Sequence, residues 1–134
     1  MKKELRLSGS GGQGLILAGI ILAEAAINQG LNAIQSQSYG PEARGGASKA
    51  EVIIGDEEIF FPKVRKPNIL LALSQKAFNQ YIHDLDSKSI IVVDESIQTN
   101  DKIEVDMIYK LPILKTASEK IGKSMVANIV ALGV

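Results

Sequence analysis

Apolar and polar positions along this chain alternate between two periods. Leu5-Arg6-Leu7 switches face at every residue, as a short strand does. From Leu15 to Ile27 the chain is apolar on most helical faces, with Ala18, Gly19, Ala23, Ala25 and Ala26 as small contacts. That pattern predicts a helix buried on more than one side, in a layered α/β domain or at a subunit interface. Gly30 stands where a helix of this length ends, and Asn32 to Ser38 reads as a second strand. Ala50 to Ile54 and Ile59 to Phe61, joined across Gly55-Asp56, carry a hairpin signal. Beyond a charged connector between Pro62 and Pro67, Asn68 to Leu73 is a buried-strand run. Ser74 is placed to cap a helix through Tyr81. Ile90 to Asp94 is another buried strand, and Met107 to Leu111 a weaker one nearer an edge. Strands alternating with helices predict a three-layer α/β/α domain with a mostly parallel sheet and a β-hairpin excursion.

The last segment, Ile113 to Val134, is helical in pattern with a break at Gly122, and Ser124 is placed to cap a final helix. It stops at Gly133-Val134 without the charged last turn of a finished surface helix. Residues 1–134 therefore read as one domain that is truncated at its C-terminal end.

Composition narrows the chemistry. The 134 residues suit one domain, and 46% hydrophobic content suffices for one core. Fifteen basic residues balance fifteen acidic ones, so nothing electrostatic points to nucleic acid or to a membrane surface. The chain has no cysteine, which excludes disulfides and any thiolate zinc or iron–sulfur site held by its own residues. The single histidine, His83, has no second histidine at ligand spacing. The N-terminus lacks a signal-peptide pattern, and the apolar run from Leu15 is stopped at Glu24, too short to span a bilayer. A soluble, cytoplasmic protein is expected.

Two loops carry the candidate chemistry. The first, Gly9-Ser10-Gly11-Gly12-Gln13-Gly14, spells G-x-G-x-x-G between the first strand and the first helix. Backbone N–H groups in such a loop, with the positive end of the helix dipole behind them, suit phosphate or carboxylate. Dinucleotide binding would also need an acidic residue about 20 positions on, at the end of the second strand. Gln35-Ser36-Gln37-Ser38 stand there instead, so the motif lacks its partner. A tight turn that needs glycine only for packing is the plainer alternative.

The second loop, Ser38-Tyr39-Gly40-Pro41-Glu42-Ala43-Arg44-Gly45-Gly46, sets an aromatic, an acid and an arginine among turn-forming residues. Arg44 offers a planar fork for carboxylate or phosphate, and Glu42 is placed to pair with it or with a partner chain. In a doubly wound sheet both loops would leave carboxyl ends of neighbouring strands, where ligands bind.

Together these loops resemble the gamma subunit or domain of 2-oxoacid:ferredoxin (acceptor) oxidoreductases. Asn68 to Gln75, Ile91 to Asp94 and Asn128 to Gly133 are similar to further segments of that family, in order along the whole chain. Ala43 stands where the family usually has a larger apolar residue, and Asn68 where aspartate is common.

The resemblance implies a subunit that is inactive alone, in a complex that decarboxylates a 2-oxoacid oxidatively and forms an acyl-coenzyme A. Thiamine diphosphate, Mg and iron–sulfur clusters would then belong to alpha, beta and ferredoxin-like delta subunits, and none to this chain alone. Gly9 to Gly14, Tyr39, Glu42, Arg44, Gly45 and Gly46 would face those partners and coenzyme A. Among 2-oxoglutarate, pyruvate and branched-chain (ketoisovalerate) substrates the expectation leans to 2-oxoglutarate, and the isolated chain is expected to pair with itself. A stand-alone Rossmann-like nucleotide-binding module is the competing reading.

Overall fold

The computed structural model describes residues 2–10, 14–37, 47–60, 63–64, 66–85, 87–99, 107–121 and 127–133. In chain order the elements are β1 (Lys2–Gly9), α1 (Leu15–Asn28), β2 (Asn32–Gln37), β3 (Ser48–Gly55), β4 (Ile69–Ala72), α2 (Gln75–Tyr81), β5 (Ile90–Asp94), β6 (Met107–Leu111), α3 (Ile113–Lys115) and α4 (Ala127–Leu132). A short 3₁₀ turn, Ile82–Asp84, follows α2, and a π-helical turn, Thr116–Ile121, continues α3.

The six strands form one sheet in the order β2-β3-β1-β4-β5-β6. β1, β4, β5 and β6 run parallel, while β3 lies antiparallel to both β1 and β2. Only β3 therefore runs against the common direction, and β6 is an edge strand as its weaker pattern predicts. Helices cover both faces. Leu7 of β1 and Leu71 of β4 pack with Leu15 and Ala18 of α1, Ile113 of α3 and Ala127 of α4. Across the sheet, Ala72, Ile91 and Val93 pack on Phe78 of α2. The three-layer, mostly parallel α/β/α class is thus what the chain adopts.

The antiparallel excursion differs in its partners from the hairpin expected. Residues 59 and 60 carry no strand, and β3 takes β2 and β1 as neighbours instead. Val52 and Ile53 are buried in the sheet interior. An interior strand needs partners on both edges, which a terminal hairpin would not supply.

Local signals elsewhere are followed closely. At the end of α1, Gly30 adopts φ +84°, with Gly30 N–H donating to Ile27 O at 3.0 Å and Leu31 N–H to Ala26 O at 3.0 Å. This is the paired 5→2 and 6→1 closure of a Schellman cap. At the start of α2, Ser74 Oγ accepts the Ala77 N–H at 3.2 Å. Ser74→Ala should lower stability by about 1 kcal/mol, the usual worth of such a cap, measured as a shift in urea midpoint at constant slope. The proposed cap Ser124 lies outside the described residues.

One expectation is only half met. α1 buries Leu15, Ala18, Gly19, Ala23 and Ala26, yet its outer face exposes Leu17 (52%), Ile20 (37%) and Ile27 (55%). Within the chain it is covered on one side. An apolar trough of about 390 Å³ also opens beside it, bordered by Leu22, Ile69, Ile90, Val92 and Leu132.

Candidate functional site

Both candidate loops are rooted in the three-stranded ribbon β2-β3-β1. β1 delivers Ser8 and Gly9 to its carboxyl end, where Ser8 Oγ donates to Leu71 O at 2.8 Å and Ser8 O accepts the Leu73 N–H at 3.0 Å. Those bonds fix the root of the glycine loop to β4. The second loop leaves β2 at Gln37 and returns in β3 at Ser48, and Ser48 pairs directly with Gly9. Ser48 Oγ also lies 3.4 Å from Gly9 O, as its donor. The two loops thus start from one end of the sheet.

They do not leave neighbouring strands, as a doubly wound order would have it. β3 lies between β1 and β2, so the two carboxyl ends stand two strand spacings apart, about 10 Å. The roots of the two loops meet at the return into β3, where Ser48 pairs with Gly9. This strand order also disfavours dinucleotide binding. The end of β2, where the ribose-binding acid belongs, is displaced by one strand, and its Gln35 and Gln37 side chains bond each other at 2.7 Å.

Of the predicted site residues, Gly9, Ser10 and Gly14 are described. Gly9 ends β1, and Ser10 is exposed just beyond it. Gly14 is the N-cap of α1, with φ +73° and ψ 27°, and supplies no side-chain cap to the helix. Gly11, Gly12, Gln13, Tyr39, Glu42, Arg44, Gly45 and Gly46 lie outside the described residues.

A residue absent from the predicted site meets this loop. Asn128 of α4 is 5% exposed and donates from Nδ2 to Gly14 O at 3.2 Å. A lone polar position in the apolar run Ala127 to Leu132 is the sequence signal for it, since a polar side chain there must find a partner.

The other polar groups near the strand ends are engaged in structure. Asp94, at the carboxyl end of β5, accepts the Leu114 N–H at 2.8 Å and the Ser96 N–H at 3.0 Å, tying β5 to the start of α3. Asn68 accepts the Glu4 N–H at 2.7 Å on its Oδ1, a bond the family's more usual aspartate would equally accept. Beneath α2, Arg6 and Glu51 form a buried cross-strand pair, Nε to Oε2 2.9 Å. Among the described residues no group of three or more His, Asp or Glu is placed to hold a metal ion. No helix among them is long and apolar enough to cross a membrane.

The fold is that of a three-layer α/β domain, and comparison with known proteins places it. Residues 4–134 match the family model of pyruvate ferredoxin/flavodoxin oxidoreductase, and the chain belongs to that family. It is 56% identical over 136 residues to the 2-oxoglutarate synthase subunit KorC of Methanocaldococcus jannaschii, covering 99% of this chain and 73% of that protein. The keto/oxoacid ferredoxin oxidoreductase gamma subunit of Geobacter sulfurreducens superposes with TM-score 0.84 at 48% identity, over 98% of this chain and 73% of that one. The 2-oxoglutarate:ferredoxin oxidoreductase of Magnetococcus marinus, solved with 2-oxoglutarate, coenzyme A and succinyl-CoA, shares the fold. Its TM-score is 0.88 at 22% identity, over 98% of this chain and 23% of that one. The same fold thus occurs in a chain of comparable length and within a polypeptide several times longer.

Proposed function

We propose that the chain is the gamma subunit of a 2-oxoglutarate:ferredoxin oxidoreductase and forms the coenzyme A side of the active site together with partner subunits. The observation that carries this reading is the shared root of the two loops, with Gly9 paired to Ser48. That common root at one end of the sheet supports a surface shared by the glycine loop and the loop at 38–46. The exposed apolar residues Leu17, Ile20 and Ile27 on the helix that leaves that surface support a partner subunit there. They also make self-association the expected behaviour of the isolated chain. The identity with a 2-oxoglutarate synthase subunit supports 2-oxoglutarate over pyruvate or ketoisovalerate.

In this reading thiamine diphosphate, Mg and the iron–sulfur clusters sit in alpha, beta and ferredoxin-like delta subunits, and supply the carbon–carbon cleavage and electron uptake. A cysteine-free chain fits that division, since it has no thiolate to offer a cluster. Its own contribution is positioning. The N–H groups of Gly11, Gly12 and Gln13 meet an anion or a facing carbonyl, Arg44 brings charge to phosphate, and Tyr39 packs against the thiol-bearing arm. Glu42, Gly45 and Gly46 shape the loop that presents them.

Arg44→Ala in the assembled complex is the test. The KM for coenzyme A should rise about tenfold, the worth of one charge-assisted hydrogen bond, with the KM for 2-oxoglutarate unchanged. Weakened assembly with an unchanged KM for coenzyme A would show a purely structural surface. Stabilisation of the chain by NADH and not by coenzyme A in a thermal-shift comparison would restore the nucleotide-binding alternative.

A further inference from the structure

We propose that Asn128 is a positioning residue at the root of the glycine loop: its carboxamide fastens α4 to the N-cap of α1 and so fixes the direction of the Leu15 N–H at the end of that loop. The functional part of this inference rests on the reading of that loop as part of the coenzyme A side.

Both ends of the Asn128 amide are used, each on a different element. Oδ1 accepts the Ile129 N–H at 2.9 Å within α4, while Nδ2 crosses 114 positions of sequence to Gly14 O. Gly14 O also accepts the Ala18 N–H at 3.1 Å, the first hydrogen bond of α1. Two donors therefore hold one carbonyl. In a trans peptide the C=O and the following N–H point in opposite directions, so pinning Gly14 O along α1 aims the Leu15 N–H out of the helix N-terminus. That is the side from which the loop would meet its guest.

The two residues are shaped for each other. A Cβ on Gly14 would fall 2.6 Å from Asn128 Nδ2, so the loop end closes on the amide only because it has no side chain. Ala127, fully buried with Leu15 and Ala18, holds α4 against α1 while the neighbouring amide makes the link. The position needs a group that both accepts and donates. Aspartate keeps the acceptor and the size but has no donor at neutral pH, and sets a carboxylate against a carbonyl oxygen.

The experiment compares wild type, Asn128→Asp and Asn128→Ala, with Ser74→Ala as a control whose change lies in α2. In the reconstituted complex, the Asn128 variants should raise the KM for coenzyme A about five- to tenfold, the factor one ordinary hydrogen bond supplies. The kcat at saturating coenzyme A and the KM for the 2-oxoacid should stay within twofold. In the full chain, hydrogen exchange at the Ala18 amide should quicken about tenfold in both variants and not in Ser74→Ala. An Ala18 amide that exchanges as in wild type, or that quickens equally in the control, overturns the positioning role. Accelerated exchange with an unchanged KM for coenzyme A, in the Asn128 variants and in Arg44→Ala alike, upholds the clamp and overturns the coenzyme A reading. An unchanged KM in the Asn128 variants alone overturns the clamp's effect on that site.

Discussion

Arg6→Ala is expected to destabilise the chain by about 3–5 kcal/mol, the cost of leaving one member of a buried ion pair without the other. Arg6 is 3% exposed on the central strand β1 and faces Glu51 on β3. Its Nε donates to Glu51 Oε2 at 2.9 Å, its Nη2 to Val64 O at 3.2 Å, and its guanidinium lies 5.5 Å from the Tyr81 ring centroid. Lys49, at 3.7 Å from the other Glu51 oxygen, is a weaker and more exposed partner. Without Arg6, Glu51 keeps only Lys49 as an ion-pair partner among these contacts, and Val64 O loses a donor beneath α2. The double variant Arg6→Met, Glu51→Leu should recover most of the loss, because apolar groups of similar volume need no pairing. Urea denaturation of the single and double variants measures both. A double variant as unstable as Arg6→Ala would mean that packing, and not the uncompensated charge, carries the effect.

Gly14→Ala is expected to cost about 2–4 kcal/mol. The left-handed φ of +73° charges any L side chain about 1–2 kcal/mol, and the new methyl displaces Asn128, forfeiting about 1 kcal/mol of hydrogen bonding or more. Gly30→Ala is the internal comparison. Its φ of +84° is equally left-handed, yet nothing lies within 4 Å of the added carbon, so only the backbone penalty applies. The excess at Gly14 should shrink in an Asn128→Ala background, a coupling of about 1 kcal/mol in a double-mutant cycle. Equal losses at the two glycines would show that Asn128 yields without cost.

Much of the fold could be read from the sequence because its local signals agree with its long-range packing. The apolar run at Leu70 to Leu73, the cap at Ser74 and the glycine after α1 each had one physical solution, and the chain takes it. The partner of β3 was not legible, since a strand buried between two others carries no mark of which strands they are. The turn-like Gly55-Asp56 suggested a local neighbour where two distant ones won. At the site, glycine spacing and the Arg44 loop pointed to one end of the sheet, and the strand order brings their roots together. Asn128 could not be placed from sequence alone, because its meaning depends on a contact with Gly14 across most of the chain.

The position of β1 has a consequence for how the chain assembles. Of the six described strands, β1 alone joins the antiparallel ribbon to the parallel half, through β3 on one edge and β4 on the other. Residues 2–55 already hold three adjacent strands and the helix that covers them. Every later strand then meets a finished edge, β4 on β1, β5 on β4 and β6 on β5. During synthesis the sheet can therefore widen outward in the order the strands emerge, without reopening a pair already made. Parallel pairing, which is slow because its contacts lie far apart in sequence, is reduced here to one templated addition at a time.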